Sequence, residues 1–245
     1  PRIPEVTQAQ GQTESGLAAR LSAIDHRIAD AARLAGRDPG EITRIVVTKF
    51  HPSSLVRELH SLGVRDVGEN RQQELSSKTA ELDDLDLRWH FIGQAQTNKA
   101  SAIRRSADAV HSVDRDRLAD ALHRAAEDDD ILDVLVQVNL TDDAGRGGVE
   151  PDDARSLAEH ILALPSLRLR GVMAVAPLDE EPASAFARLR TIAERVREVE
   201  PTADWISAGM TGDFVAAIDA GATHLRIGSA ITGPRPDRGL SLIHI

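Results

Sequence analysis

Ile42-Thr43-Arg44-Ile45-Val46-Val47-Thr48, then Lys49-Phe50-His51, then a run opened by Pro52 and closed by Leu62-Gly63, reads as one strand followed by one helix, and this stretch decides the fold. Ile45, Val46 and Val47 are β-branched in succession, which suits a buried pleated surface better than a helix. Pro52 fits the first turn of a helix, where its missing N–H costs nothing. Gly63 suits the left-handed position that ends one.

The unit recurs in both directions. Strand-like runs stand at 64–69, 87–92, 108–113, 131–139, 167–176, 204–208 and 223–228, with helical patterns near 71–82, 97–105, 115–127, 151–164, 182–199 and 211–220 between them. In 182–199, Phe186, Leu189, Ile192, Ala193, Val196 and Val199 form one stripe at helical spacing. A further amphipathic helix, with Leu17, Leu21, Ile24, Ile28 and Ala32 on one face, precedes the first strand; Gly36 and the turn Asp38-Pro39-Gly40 end it. Eight strands alternating with helices, at about 30 residues per unit, predict a single (β/α)8 TIM-type barrel with an extra N-terminal helix. A doubly wound open sheet has the same alternation, and strand count does not separate the two. No strand is followed by Gly-x-Gly-x-x-Gly, which weakens a dinucleotide-binding reading. The expected organisation is a tail at 1–14, one barrel over 15–236, and a C-terminal tail at 237–245. Within that tail Leu240-Ser241-Leu242-Ile243-His244-Ile245 has no structural rationale and reads as non-native.

Composition narrows the function. The 245 residues are 41% apolar and 28% charged, enough for a real core and unlike a disordered chain. No apolar run reaches membrane-spanning length and no secretion signal opens the chain, so it is read as cytoplasmic. A net charge of −10 argues against nucleic acid or anionic membrane as the main partner. With no Cys and no Tyr, the sequence offers no disulfide, thiol nucleophile or phenolic acid. No His pair has metal spacing, so no metal is expected. Only three of the 29 basic residues are Lys (Lys49, Lys78 and Lys99), so a lysine here marks a place where an amine rather than a charge is needed.

Ligands of a parallel barrel bind at the C-terminal strand ends. Lys49 stands there, on the face of Ile45 and Val47 by alternation. An amine withdrawn from water gives up its proton more readily and attacks a carbonyl to form a Schiff base. The plain alternative is a lysine stem lying on apolar surface with its amine in water. Ser207-Ala208-Gly209-Met210-Thr211-Gly212-Asp213 follows the seventh strand, and Arg226-Ile227-Gly228-Ser229-Ala230 ends the eighth. Small residues there expose backbone N–H groups, an anion site of the kind barrels place between strands seven and eight; ordinary capping by Thr211 and glycine packing is the competing reading. Arg226, facing inward, needs a partner such as a ring nitrogen or a carboxylate. His90 reads as a satisfied core histidine, and Gly145-Arg146-Gly147-Gly148 as a mobile loop.

Val46-Val47-Thr48-Lys49, Gly68-Glu69-Asn70 with Gln73-Glu74, the block Trp89-His90-Phe91-Ile92-Gly93 through Asn98-Lys99, Ser207-Ala208-Gly209-Met210 and Arg226-Ile227-Gly228-Ser229-Ala230 come in the order seen in the pyridoxal phosphate homeostasis proteins. The chain resembles that family over about residues 15–236. The resemblance implies a barrel like the N-terminal domain of alanine racemase, with pyridoxal 5′-phosphate held as an aldimine on Lys49. It implies cofactor contacts from Asn70, Ser207, Gly209, Met210, Arg226, Gly228 and Ser229, with Ser207 and the 228–229 backbone on the phosphate and Arg226 on the pyridine nitrogen. It implies a role in vitamin B6 and amino-acid homeostasis with no established catalytic reaction; the expected form is a monomer, with PLP-dependent apoenzymes as expected partners. The alternative is a fold-type-III racemase or decarboxylase. Racemases of that fold bring a Tyr, and decarboxylases a Cys, from a second domain; this sequence has neither residue and leaves no room for such a domain. The chain departs from the family pattern at Arg71, where Tyr is frequent, and at Thr232, where Phe is, which leaves the pocket rim open.

Overall fold

A computed structural model describes residues 15–237 of the chain; the expected tails lie outside it, apart from Asp237. Strands β1 (Thr43–Val47), β2 (Asp66–Glu69), β3 (Arg88–Phe91), β4 (Ala109–Val113), β5 (Leu132–Gln137), β6 (Leu167–Met173), β7 (Trp205–Ser207) and β8 (His224–Ile227) pair in parallel, in sequence order, around a closed barrel. Closure is explicit, because β1 pairs with β2 on one side and with β8 on the other, from Thr43 opposite His224 to Val46 opposite Ile227. The open-sheet alternative is thereby excluded.

The helices are α1 (Gly16–Leu34), α2 (Ser53–Ser61), α3 (Gln72–Glu81), α4 (Ala100–Ser106), α5 (Asp116–Arg124), α6 (Ala154–Leu162), α7 (Pro182–Val199), α8 (Phe214–Asp219) and α9 (Ser229–Thr232). Helix α7 spans the expected 182–199, with its stripe from Phe186 to Val199. Helix α1 is the predicted extra helix. Ser15 caps it, accepting from Ala18 N at 3.1 Å, and Gly36 takes the left-handed conformation (φ 69°) just past its end. It packs on α8 and α9 over the seam between last and first strands. Two arginines fasten it there: Arg20 Nε donates to Ile231 O at 2.7 Å, and Arg37 donates to the carbonyls of Ile218 and Ala222 at 2.8 Å each.

Alternation along the strands divides the interior in two. Outward-facing Val46, Val67, Phe91, Val134, Leu169 and Ile227 join the helix stripes in one continuous apolar layer. Each buried aliphatic side chain contributes about 1.5–3 kcal/mol to that layer. The inward face is mixed. Ile45, Leu135 and Met173 share it with His90, His111, Ser207, His224 and Arg226, all buried. Among the described residues no helix is long and apolar enough to cross a membrane.

Candidate functional site

The C-terminal mouth of the barrel holds a cavity of about 560 Å³, within the ~300–1,000 Å³ usual for small-molecule sites. Each side is supplied by a strand end. β1 delivers Lys49, half-buried, whose ammonium has no hydrogen bond or ion pair with any described residue. Of the other lysines, Lys78 is buried in an ion cluster and Lys99 lies off the cavity on the turn Thr97–Lys99. β2 delivers Asn70, whose Oδ1 is buried and unpartnered among the described residues. The end of β3 runs hard against it: a Cβ on Gly93 would fall 1.9 Å from the Asn70 carbonyl oxygen, so only glycine fits there. The turn after β7 brings Met210, Thr211 and Gly212 to the opposite wall, and Gly228 and Ser229 at the foot of α9 complete it. Cβ atoms built on Gly212 and Gly228 meet nothing closer than 3.8 Å, so these walls stay open to a ligand.

Arg226 forms the floor. Its guanidinium donates to Ser207 Oγ at 2.7 Å and to the Ala174 carbonyl at 3.1 Å. No carboxylate among the described residues is bonded to it. Burial lowers its pKa to about 10, against the opposing charge of Asp213, so the guanidinium stays charged at neutral pH. Lys49, Arg226 and Arg235 all line the cavity and no described Asp or Glu does, although the chain carries a net charge of −10. His51 also lines it and is biased towards its neutral form by burial and then by the charges of Lys78, Arg20 and Arg235. The set of groups fits a small anionic carbonyl compound. A free amine faces a carbonyl, cations face anionic oxygens, an orphaned amide oxygen awaits a donor, and glycine walls admit close approach.

Beneath the floor, hydrogen bonds cross the barrel. Ser207 Oγ lies 2.8 Å from His111 Nδ1, His111 Nε2 lies 2.8 Å from His90 Nδ1, and His90 Nε2 lies 2.8 Å from Asp66 Oδ1. Arg88 closes the far end with two bonds to Asp66, at 2.6 and 2.9 Å. Burial opposes ionisation of Asp66, but the hydrogen bonds and charges of Arg88 and His90 outweigh it and hold the carboxyl well below its ordinary pKa. His111 is driven neutral by burial first, and protonation of the neighbouring His90 or the charge of Arg226 would push the same way. One proton assignment, made from the partners, gives every link one donor and one acceptor. Arg226 donates to Ser207, the Ser207 hydroxyl to His111, His111 to His90, and His90 to Asp66.

Six of the eight expected cofactor residues line the cavity: Lys49, Asn70, Met210, Arg226, Gly228 and Ser229. Two do not. Ser207 is fully buried and its hydroxyl is committed to Arg226 and His111, so direct phosphate contact through Oγ gives way to support of the arginine. Gly209 (φ 104°) lies behind the wall, where a Cβ would come within 2.8 Å of Ala217 Cβ; glycine is required there for the turn to pack on α8. The helix expected from 211 begins at Phe214: Asp213 Oδ1 accepts the Met210 N–H at 2.7 Å and ties 210–213 into a turn, and neither Thr211 nor Asp213 makes a side-chain cap bond to the helix. Arg71 stacks on Phe50 from 4.8 Å, with Arg235 at 4.4 Å from the same ring centroid, and Thr232 lines the cavity. His90 is satisfied on both nitrogens, as a core histidine should be. The loop 145–148 is tied back through Gly148 N to Asp114 Oδ2 at 3.2 Å.

The family model for the alanine racemase N-terminal domain matches residues 19–236. The pyridoxal phosphate homeostasis protein of Pseudomonas aeruginosa is 43% identical over 225 residues, covering 90% of this chain and 96% of that protein. The protein of the same name from Mycobacterium tuberculosis is 40% identical over 242 residues, 91% and 94% of the two chains. Among solved structures, PipY of Synechococcus elongatus with PLP bound superposes with a TM-score of 0.77 at 35% identity, covering 89% of this chain and all of that one. By these matches, on a closed barrel of the alanine racemase N-terminal type, the chain belongs to the family of pyridoxal phosphate homeostasis proteins.

Proposed function

We propose that the protein binds pyridoxal 5′-phosphate in the barrel-mouth cavity, as a Schiff base on Lys49, and serves to keep vitamin B6 and amino-acid pools balanced rather than to turn over a substrate. The observation that carries this is the cavity's lining, which joins an amine without a described partner to two guanidinium groups and no described carboxylate. The PLP-bound structure of the relative PipY adds support. PLP supplies an aldehyde carbon and an electron-withdrawing ring. Lys49 Nζ supplies the amine that bonds to that carbon, the 210–212 turn and the Gly228–Ser229 backbone donate N–H groups to the phosphate, Arg226 faces the ring nitrogen, and Asn70 lies beside the ring. A charged Arg226 donating at that position would keep the ring nitrogen unprotonated and make the ring a weaker electron sink. The sequence has no Tyr or Cys to act on the far face, and a positioned acid–base group typically contributes about 10²–10⁴-fold. The resulting activity is slow Cα proton exchange at most. The working form in this proposal is a cytoplasmic monomer, one barrel over residues 15–236, with PLP-dependent apoenzymes as the recipients.

The test is the absorbance of the purified protein with PLP, followed by borohydride reduction and peptide mapping. A visible band and a modified Lys49 peptide are expected; modification at Lys78 or Lys99 instead overturns the assignment. Lys49→Ala keeps phosphate-anchored binding and loses the covalent link. Racemase or decarboxylase turnover in the range of about 1–10³ s⁻¹ replaces the carrier reading with an enzyme.

A further inference from the structure

Behind Lys49, outside the cavity lining, Lys78, Glu69 and Glu74 form an ion cluster against the end of β1. The chain turns sharply as it leaves β1, and His51 N donates to the Thr48 carbonyl at 3.0 Å. Inside that turn Phe50 has φ 68°, a left-handed conformation unfavourable for a bulky residue and rare outside glycine. Such a conformation persists only where its surroundings over-determine it. Besides Arg71 and Arg235 over its ring, the surroundings include one ammonium and two carboxylates that hold the backbone on either side of Lys49. Lys78, on α3 and 6% exposed, directs all three of its donors at this turn and its supports: Glu69 Oε1 at 2.6 Å, the Thr48 carbonyl at 2.9 Å and Glu74 Oε2 at 3.3 Å. Glu74 Oε2 in turn accepts the Phe50 N–H at 2.9 Å, and Glu69 Oε1 accepts the Thr48 hydroxyl at 2.6 Å.

The two backbone groups held in this way are the carbonyl just before Lys49 and the N–H just after it. They belong to the two peptide planes that flank the Lys49 Cα, and those planes set its φ and ψ. With both fixed, the direction of the Lys49 Cα–Cβ bond is fixed, and only the side-chain torsions remain free to sweep Nζ across the cavity.

We infer that Lys78 is a positioning residue for Lys49: through the Thr48 carbonyl directly and the Phe50 N–H by way of Glu74, it clamps both peptide planes of the cofactor lysine and holds the strained turn that points its amine into the barrel mouth. This inference rests on Lys49 being the PLP-bonding amine. It also accounts for a lysine at 78 in a chain that otherwise uses Arg: an ammonium offers three donors diverging from one point, whereas a guanidinium is a planar fork.

The test separates aiming from folding and from cofactor capture. Lys78→Met alone would strand Glu69, whose carboxyl burial already pushes up in pKa against hydrogen bonds from Lys78 and Thr48, so the variant used is Lys78→Met with Glu69→Gln, which removes both charges. The second variant, Glu74→Leu, cuts the Phe50 arm together with the Lys78–Glu74 contact and leaves the bonds from Lys78 to Glu69 and to the Thr48 carbonyl intact. Each protein is mixed with PLP. The rate of the visible band, the fraction of bound PLP fixed to Lys49 by borohydride, and the affinity for pyridoxine 5′-phosphate are recorded. Pyridoxine 5′-phosphate carries the phosphate but no aldehyde. The expected result is a Lys49 bonding rate reduced about tenfold in the double variant and about threefold in Glu74→Leu, with affinity for the aldehyde-free probe within twofold of the unaltered protein. Unchanged bonding rates in either folded variant overturn the clamp, and so does an equal loss for both probes, which would mean general damage to the site. If the double variant does not fold, Glu74→Leu decides alone. Absence of Lys49 labelling in the unaltered protein overturns the reading of the site itself, and the clamp with it.

Discussion

Replacing Ser207 by Ala separates two roles that the sequence leaves superimposed. If the Ser207 hydroxyl holds phosphate, the variant loses preference for PLP over pyridoxal and little stability. The geometry gives the opposite result. The hydroxyl is fully buried and bridges Arg226 Nη1 at 2.7 Å and His111 Nδ1 at 2.8 Å. Its removal leaves one charged donor and one neutral ring nitrogen without that partner, both on buried side chains. Each orphaned group costs about 1–3 kcal/mol. The two share one site and are not additive, so the expected loss is about 2–4 kcal/mol in guanidinium unfolding of the cofactor-free protein, seen as a lower midpoint at unchanged slope. Arg226 faces the ring rather than the phosphate in the proposed pose, so any slackening of it weakens PLP and pyridoxal alike. The ratio of their affinities is therefore expected to stay within about threefold, and a threefold ratio is ~0.65 kcal/mol. A stability loss below about 1 kcal/mol, the ordinary net value of one hydrogen bond, together with a tenfold fall in the PLP-to-pyridoxal ratio, refutes the bridging role.

In the unaltered protein, pyridoxal should bind at least about tenfold more weakly than PLP, since charge-assisted bonds to phosphate are each worth roughly 1.5–3 kcal/mol and tenfold needs only ~1.4; equal affinities in a titration would remove the phosphate wall from the site. Gly209→Ala should lower stability by about 1–3 kcal/mol through overpacking and left-handed strain, because its Cβ would sit 2.8 Å from Ala217 Cβ, whereas Gly212→Ala, with nothing within 4 Å, should change it by less than about 0.5 kcal/mol. Equal thermal midpoints for the two variants would contradict that contrast. Acid stability is set partly by His224, which stacks on Trp205 with ring centroids 4.2 Å apart; burial, reinforced by the charge of His90, lowers its pKa from 6.5 to about 3. Below pH 6.5 the unfolded chain takes up a proton that the folded chain refuses. The contribution is therefore fully present above that pH and is lost as pH falls towards 3, by roughly 4 kcal/mol at ~1.4 kcal/mol per pH unit. Unfolding curves of His224→Gln from pH 7 to 4 should be flatter than those of the parent, and an unchanged slope removes His224 from that account.

The barrel was legible because each strand is a short β-branched or apolar run with punctuation on both sides, and because α1 and α7 carry long stripes that only helical spacing explains. Helix α9 was not legible: four residues, Ser229–Thr232, are too few to show a period. The cavity lysine was legible from its place at a strand end. The polar interior was not. Asp66, His90, His111, Ser207 and Arg226 come from five different strands, and their association depends on register around a closed barrel, which no local pattern encodes. His90 looked like an isolated core histidine because its partners are 21 and 24 residues away in sequence. Lys78 looked like one residue on a helix face for a similar reason. Its partners Thr48 and Glu69 belong to the β1 and β2 ends, and only the packing of α3 on them shows that its ammonium is an internal strut.

The charge of the molecule is divided at the mouth. A contiguous groove of about 1,390 Å³ shares Gln94, Gln137, Val175, Met210 and Gly212 with the cavity but carries the acidic side chains of Asp142, Asp143, Asp179, Glu180 and Asp213 against the basic ones of Arg146 and Arg188. Cations without described carboxylates thus line the cavity, and an excess of carboxylates over arginines lines the adjoining groove. Repulsion of an anionic ligand by exposed carboxylates is screened beyond about 8 Å at physiological salt, whereas the field of Arg226, enclosed at the floor, is screened far less. Capture of an anion is therefore decided by the last few ångströms, where Lys49 and Arg226 face the ligand. The relay down to Asp66 makes this arrangement tenable: a buried guanidinium bonded to a neutral hydroxyl and a carbonyl keeps its charge available to the cavity. A carboxylate in the place of Ser207 would have spent that charge inside the protein.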